Sequence, residues 1–184
     1  MDTYGEYQFS SLQRELLENK IISIKSDINA DMAEYVHNCL LHLRVNDSPD
    51  IDVIFRCEGG DVLPGFQIFD ELRLYPGNTR GVVMGYSFSM TTIILQACTE
   101  RIAARNALLL IHNTILSGLS TKILRKPKLN AEAVKFGTIT DERVQQILAE
   151  RTGKSMAAIR RAMDREKSMS AEEAKKFGLI DKII

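Results

Sequence analysis

Ser89 stands where a serine can act as a nucleophile. It belongs to the stretch GVVMGYSFSMTT (81–92), which predicts a buried strand, a glycine-containing turn and a helix that starts at or just before Ser89. The strand reading rests on Val82, Val83 and Met84 standing together after the turn signal Pro76-Gly77-Asn78. The helix reading rests on 91–97, an apolar run unbroken by Gly or Pro. At such an elbow the helix dipole and the unpaired first-turn N–H groups favour negative charge beside the hydroxyl. The same place suits a serine that merely caps the helix, the commoner role, and this stretch alone leaves both open.

His112 is the histidine best placed to serve such a serine. It ends the apolar run 107–111, and strand ends are where the functional groups of parallel α/β folds gather. A hydrogen-bonded structural histidine would look the same. His37 and His42 fall outside the apolar face of a predicted helix and read as solvated. The Gly59-Gly60 pair is either a tight turn or a means of aiming a backbone N–H into a cleft, as an oxyanion hole requires. Apart from Cys39 and His42, no histidines and cysteines share ligand spacing with a nearby acid, so neither a metal nor another cofactor is expected.

The elements around these residues alternate. A tail over 1–9 leads to an amphipathic helix over 10–19, with Leu12, Leu16 and Leu17 on one face, and then to a strand over 21–25. A helix from Asn29 carries Met32, Val36, Cys39, Leu40 and Leu43 at helical spacing until the Asn46-Asp47-Ser48-Pro49 stop. A strand over 51–56, the glycine turn and a helix over 61–75 repeat the scheme, with Pro64 tolerated in the first turn. The Ser89 unit follows, then a short strand near Ile102. Continuous apolar strands of this kind are covered on both faces, which points to an α/β fold with parallel pairing and helices outside.

The stretch 115–129 is basic and irregular and reads as a strand on an exposed arm. A long helix is expected from Asn130 as N-cap to Gly153, with Val134, Ile139, Val144, Ile147 and Leu148 on its apolar side. A further helix runs from Ser155 to about Glu166. A capping box of Ser170 and Glu173 opens a last one, ended by Gly178.

Length and composition agree with one domain: 184 residues, 24 basic against 24 acidic. The balance leaves no net field to attract nucleic acid or an anionic membrane. Three cysteines without a CxxC spacing fit a reduced, cytoplasmic setting, and no segment reads as a signal or membrane span.

Taken in order, the motifs form a pattern. Gly59-Gly60-Asp61-Val62 is followed by Gly65, Ile68, Phe69 and Asp70, then by Gly85 with Ser89-Met90, then by 108–112 ending in histidine. Met169-Ser170-Ala171, Glu173-Ala174 and Gly178-Leu179-Ile180-Asp181 complete it. Over nearly its whole length the sequence resembles the proteolytic subunit of the Clp protease, a serine peptidase family. The resemblance implies a crotonase-like spiral of strand-helix units with a protruding arm, here about 113–150. It further implies arms that interlock two stacked heptameric rings around a chamber, peptide or unfolded-protein substrates, and an AAA+ unfoldase as partner. Carried onto this sequence, Ser89 is the nucleophile, His112 its general base, and the N–H groups of Gly60 and Met90 the oxyanion hole.

The sequence departs from that pattern in places. Where the family has its third catalytic residue, an aspartate, this chain has Glu166, with Asp164 as the fallback. Thr114 replaces a proline two residues after the histidine, and the spacing from Ser89 to His112 is two residues shorter. The strand before the glycines carries Asp52 and Ile54 where the family has aromatic residues that receive an unfoldase's docking loops, and the N-terminal segment is short.

The expectation is a self-compartmentalised serine endopeptidase acting through an acyl-enzyme on Ser89, with substrate extended beside a strand edge at Gly60, Asp61 and Val62. The rival readings are a catalytically silent subunit of the same fold and a crotonase-type acyl-CoA enzyme, for which the sequence offers no clear CoA-phosphate site.

Overall fold

The structure is a computed structural model and describes residues 8–116 and 125–184. The outer part of the expected tail and the middle of the expected arm strand lie outside the described residues. At the inner end of the tail, the Phe9 ring meets Tyr35 edge to face.

Three strand-helix units open the chain. Helix α1 (Ser11–Glu18) begins with a capping box between Ser10 and Gln13 and buries Leu17. Strand β1 (Ile21–Ile24) leads to α2 (Ala30–Arg44), whose N-cap Asn29 accepts from the Met32 N–H. Strand β2 (Ile51–Cys57) leads to α3 (Val62–Arg73), and β3 (Thr79–Phe88) leads to the short α4 (Met90–Leu95). Strands β4 (Glu100–Ala103) and β5 (Leu108–Ile111) follow. The C-terminal part holds α5 (Pro127–Thr152), α6 (Met156–Met163), β6 (Lys167–Ser170), α7 (Ala171–Phe177) and β7 (Lys182–Ile183).

The sheet order is β1-β2-β3-β4-β7, parallel throughout. Strand β3 is the pivot. Its first half pairs with β4, while Tyr86, Ser87 and Phe88 pair with β5 instead. Between the halves stands Gly85 at φ +90°, and the β2–β3 register shifts between Phe55 and Cys57. The positive φ lets the strand turn from one partner to another. Strand β5 also pairs with β6, the one antiparallel contact in the described sheet. Ile22, Ile24, Val53 and Phe55 have no appreciable exposure, whereas Ile21, Ser23, Asp52 and Ile54 between them are only half-buried and Arg56 is exposed, so β1 and β2 are fully covered on one face and not on both as expected.

A buried polar knot fastens the C-terminus to β4. Arg101, only 6% exposed, grips the Asp181 carboxylate through Nε and Nη2 and donates from Nη1 to Gln96 Oε1 at 2.7 Å and the Gly178 carbonyl at 2.9 Å. Burial pushes the Asp181 carboxyl up, but the hydrogen bonds and charge of Arg101 outweigh it and hold it below the usual carboxylate range. A depressed carboxyl stabilises the fold above its unfolded pKa of about 4 and loses that contribution as pH falls through the folded value. Asp181→Asn is therefore expected to lower stability at neutral pH by about 1–2 kcal/mol, given that the carboxylate is partly open to solvent. The gap from wild type should close below about pH 4, which thermal unfolding across pH would show.

Several sequence expectations are corrected. Strand β3 is much longer than 82–84, because buried Ser87 and the flanking Tyr86 and Phe88 continue the ladder past Gly85. Helix α5 starts at Pro127, not after Asn130, whose own N–H already donates to the Lys126 carbonyl; proline suits a first helical position because it lacks the N–H that would go unpaired. Along α5 only Val144 and Leu148 of the expected apolar side are buried, while Val134 and Ile139 are 55% and 44% exposed. Helix α6 stops at Met163, and Lys167–Ser170 forms β6 rather than a helix end and loop. His37 is not simply solvated, since its Nδ1 lies 3.1 Å from Glu71 Oε1.

Candidate active site

Ser89 follows the last residue of β3 and precedes the first of α4, so the elbow is real and sharper than a cap requires. Its backbone sits at φ 54°, ψ −128°, a conformation that costs a non-glycine residue on the order of 1–3 kcal/mol. The Ser89 N–H donates to the Leu110 carbonyl of β5 at 3.0 Å, while its hydroxyl makes no capping hydrogen bond. The capping role is thus not the one the hydroxyl plays. The same strained strand-to-helix turn exposes the nucleophile of serine hydrolases on other folds.

The turn is held by Gly59. A Cβ there would lie 2.7 Å from Ser89 Cβ and 2.9 Å from the Phe88 carbonyl oxygen, and φ is +114°. The Gly59 N–H in turn donates to Cys57 Sγ at 3.3 Å, and that thiol lies 3.0 Å from the Ser26 carbonyl, so Cys57 is part of the turn's framework. Gly59→Ala is expected to destabilise the fold by on the order of 3–5 kcal/mol, from overpacking plus backbone strain. Gly153→Ala, where an added Cβ meets nothing within 4 Å, should cost only about 1–2 kcal/mol. Urea unfolding of the two variants checks the contrast.

Gly60 presents its edge to the site. It bridges Ile28 through its neighbours: the Ile28 N–H donates to the Gly59 carbonyl at 2.8 Å and the Asp61 N–H to the Ile28 carbonyl at 2.7 Å. In an extended bridge the middle residue points its own N–H and C=O the other way, so the Gly60 N–H faces away from Ile28. A side chain at Gly60 would collide with the Ile28 backbone at 2.3 Å. Met90 opens α4, and its N–H has no intrahelical partner. Its side chain fills the space that a Cβ on Gly65 would take, which fixes α4 against α3.

These groups share one cavity of about 770 Å³. Gly60, Asp61, Val62, Ser89, Met90 and His112 all line it, and its walls are mainly apolar, with Leu63, Ile93 and Phe136 among them. The extended edge expected over Gly60, Asp61 and Val62 stops at Asp61, because Val62 is the first residue of α3. Asp61 occupies the N-cap position without a side-chain cap bond.

His112 follows Ile111, the end of β5, and β5 registers Leu110 opposite Phe88, so histidine and serine emerge side by side from adjacent parallel strands. On its other side β5 pairs antiparallel with β6, Ile111 opposite Lys167. The ladder ends there: His112 and Glu166 are the residues just beyond its last pair, and no hydrogen bond joins them. Glu166 is exposed, turned out of strand geometry at φ 47°, and outside the cavity lining. Asp164 accepts from Asn113 Nδ2 at 2.9 Å. Among the described residues, neither the Ser89 hydroxyl nor the His112 ring makes a hydrogen bond, and the two are not bonded to each other, so the cavity brings them together without joining them.

Sulfur nucleophiles are poorly placed. Burial pushes Cys39 and Cys98 up to about 12, so both stay thiols, and all three cysteines are buried. Among the described residues no group of three or more His, Cys, Asp and Glu is arranged to hold a metal ion, and no helix is long and apolar enough to cross a membrane. Sequence reasoning read Gly59 as part of a glycine turn but missed its close packing under Ser89, and it missed the roles of Asn113, Thr114 and Asp141 around the histidine, whose contacts depend on where α5 and the α6–β6 turn lie.

The elbow, the glycine bridge and the strand that ends in His112 sit in the order in which the motifs occur along the sequence. A family model for Clp protease matches residues 4–184, which includes every one of these elements. The chain belongs to the Clp protease family.

Proposed function

We propose that this chain is a serine endopeptidase of the self-compartmentalised kind, cleaving peptides or unfolded proteins through an acyl-enzyme. The observation that carries the reading is Ser89 itself: a strained elbow residue, with its hydroxyl uncommitted, lining the same cavity as His112. In this mechanism Ser89 Oγ attacks the scissile carbonyl while His112 takes its proton. The resulting oxyanion lies toward the N–H groups of Gly60 and Met90, donors already oriented before the reaction. The intermediate collapses as the peptide C–N bond breaks and His112 passes the proton to the leaving amine; water then releases the acyl group by the reverse sequence.

An extended peptide would pair with the free edge of Gly60 and rest its side chains on the apolar walls. The outer half of α5, with Val134, Phe136 and Ile139 exposed, suits an arm that packs against other subunits in stacked heptameric rings. Where the resemblance expects an aromatic docking surface, Asp52 is paired with Arg80, Nε to Oδ1 at 2.7 Å. An AAA+ unfoldase acting with this peptidase in the cytoplasm would have to meet that charged pair. The crotonase-type alternative lacks support, because among the described residues no Lys or Arg lines the cavity to meet CoA phosphates.

Native mass spectrometry combined with turnover of a fluorogenic peptide tests the reading. A ring assembly with turnover is expected. Rings without turnover favour the silent subunit, and a monomer at micromolar concentration contradicts the compartment.

A further inference from the structure

The two residues after His112 are pinned, and Thr114 carries most of the pinning. Its N–H donates to Asp141 Oδ1 at 2.7 Å, a short bond to a charged acceptor. Its hydroxyl lies 3.1 Å from the Thr140 hydroxyl. Thr140 Oγ1 already donates its one proton to the Gly137 carbonyl at 2.8 Å, so in this pair Thr114 is the donor. Thr114 therefore commits both of its donors to consecutive residues of α5. Asn113 is tied separately, through Nδ2 to Asp164. On the other side of His112, Ile111 is locked into β5 between β3 and β6.

We infer that Asp141 is a positioning residue for His112: through the Thr114 N–H it fixes the chain that aims the imidazole at Ser89 and makes that aim depend on the placement of α5. The inference rests on the peptidase reading of Ser89 and His112. Proline, which the resemblance expects at this position, has no N–H and could not make the bond. Asp141 is half-buried on a helix whose interior has no need of an acid there, and alanine, the best helix former, would hold that helix as well. A role confined to helix stability thus predicts no loss on replacing Asp141. A positioning role predicts a loss in kcat, since misplacing a catalytic group by about 1 Å costs on the order of a hundredfold.

The test compares Asp141→Ala, Asp141→Asn and Thr114→Val with wild type and with Ser89→Ala, in the assembled protein. Peptide turnover is read alongside the ¹³C ring signals of the three histidines, assigned by replacing each in turn. Asp141→Ala is expected to lower kcat by roughly tenfold or more, with KM within about twofold and the thermal midpoint nearly unchanged. Asp141→Asn, which keeps an acceptor oxygen, should recover most of the loss, and Thr114→Val, which keeps the N–H, should lose less than Asp141→Ala. The His112 signals should shift or broaden in Asp141→Ala while those of His42 stay put. The inference is overturned if kcat stays within twofold in Asp141→Ala, if asparagine recovers nothing, or if the His112 signals do not move. Should the wild-type protein neither cleave peptide nor take a fluorophosphonate, the peptidase reading fails on its own, and the histidine signals still decide whether Asp141 sets the ring's position.

Discussion

Ser89→Ala is expected to abolish peptide cleavage, lowering kcat by on the order of 10⁵–10⁶, the scale seen when a serine protease loses its nucleophile. The size of the effect follows from the absence of a substitute. Cys57 is bound into the glycine turn, and Cys39 and Cys98 are buried thiols. Stability should hardly change, within about 0.5 kcal/mol, because the hydroxyl makes no cap bond that alanine would lose. A serine that served only as an N-cap would behave oppositely, costing about 1 kcal/mol on replacement and leaving activity alone. Paired measurements of turnover and urea midpoint on one variant therefore separate the two readings of the elbow.

Glu166→Gln is expected to reduce kcat by about ten-thousandfold with the fold and assembly intact, the loss found when a triad's acid becomes an amide and presents the wrong partner to the imidazole. The argument for Glu166 is that the β5–β6 ladder ends at Ile111 opposite Lys167, so Glu166 and His112 are the residues immediately beyond its last pair. Asp164 is engaged by Asn113, and Asp164→Asn should leave kcat within about threefold because an amide oxygen can still accept that bond. Glu166→Asp restores the family residue but shortens the reach from an exposed backbone at positive φ, so reduced activity is expected there too. If Glu166→Gln stays within roughly threefold, an effect under about 1 kcal/mol on the barrier, while Asp164→Asn removes activity, the third role belongs to Asp164. If neither matters, His112 works without an acid.

What could be read from the sequence was local in origin. The N-caps at Asn29 and Ser155, the capping box at Ser170 and Glu173, and the left-handed ends at Gly153 and Gly178 are short-range signals, and all stand where the sequence placed them. The elbow at Ser89 was legible for the same reason, an apolar strand followed by an apolar helix, although the glycine expected to make the turn, Gly85, lies inside β3. Strand β6 was not, because KSMS has neither β-branched nor aromatic residues, and only its pairing with β5 makes it a strand. That omission hid the antiparallel ladder that brings Lys167 opposite Ile111, next to His112. The true start of α5 was hidden by Asn130, a good cap residue that sits inside the helix. The bond from Thr114 to Asp141 joins positions far apart in sequence and carries no local signature.

The most direct measurement is the site of covalent attachment of a fluorophosphonate probe, mapped by mass spectrometry of tryptic peptides. Residues 81–101 form one such peptide, since trypsin cuts after Arg80 and Arg101. A single adduct on Ser89, absent from Ser89→Ala and from His112→Ala, is the expected result. Peptide cleavage that persists with the adduct on another residue, or with no adduct in this peptide, would contradict it.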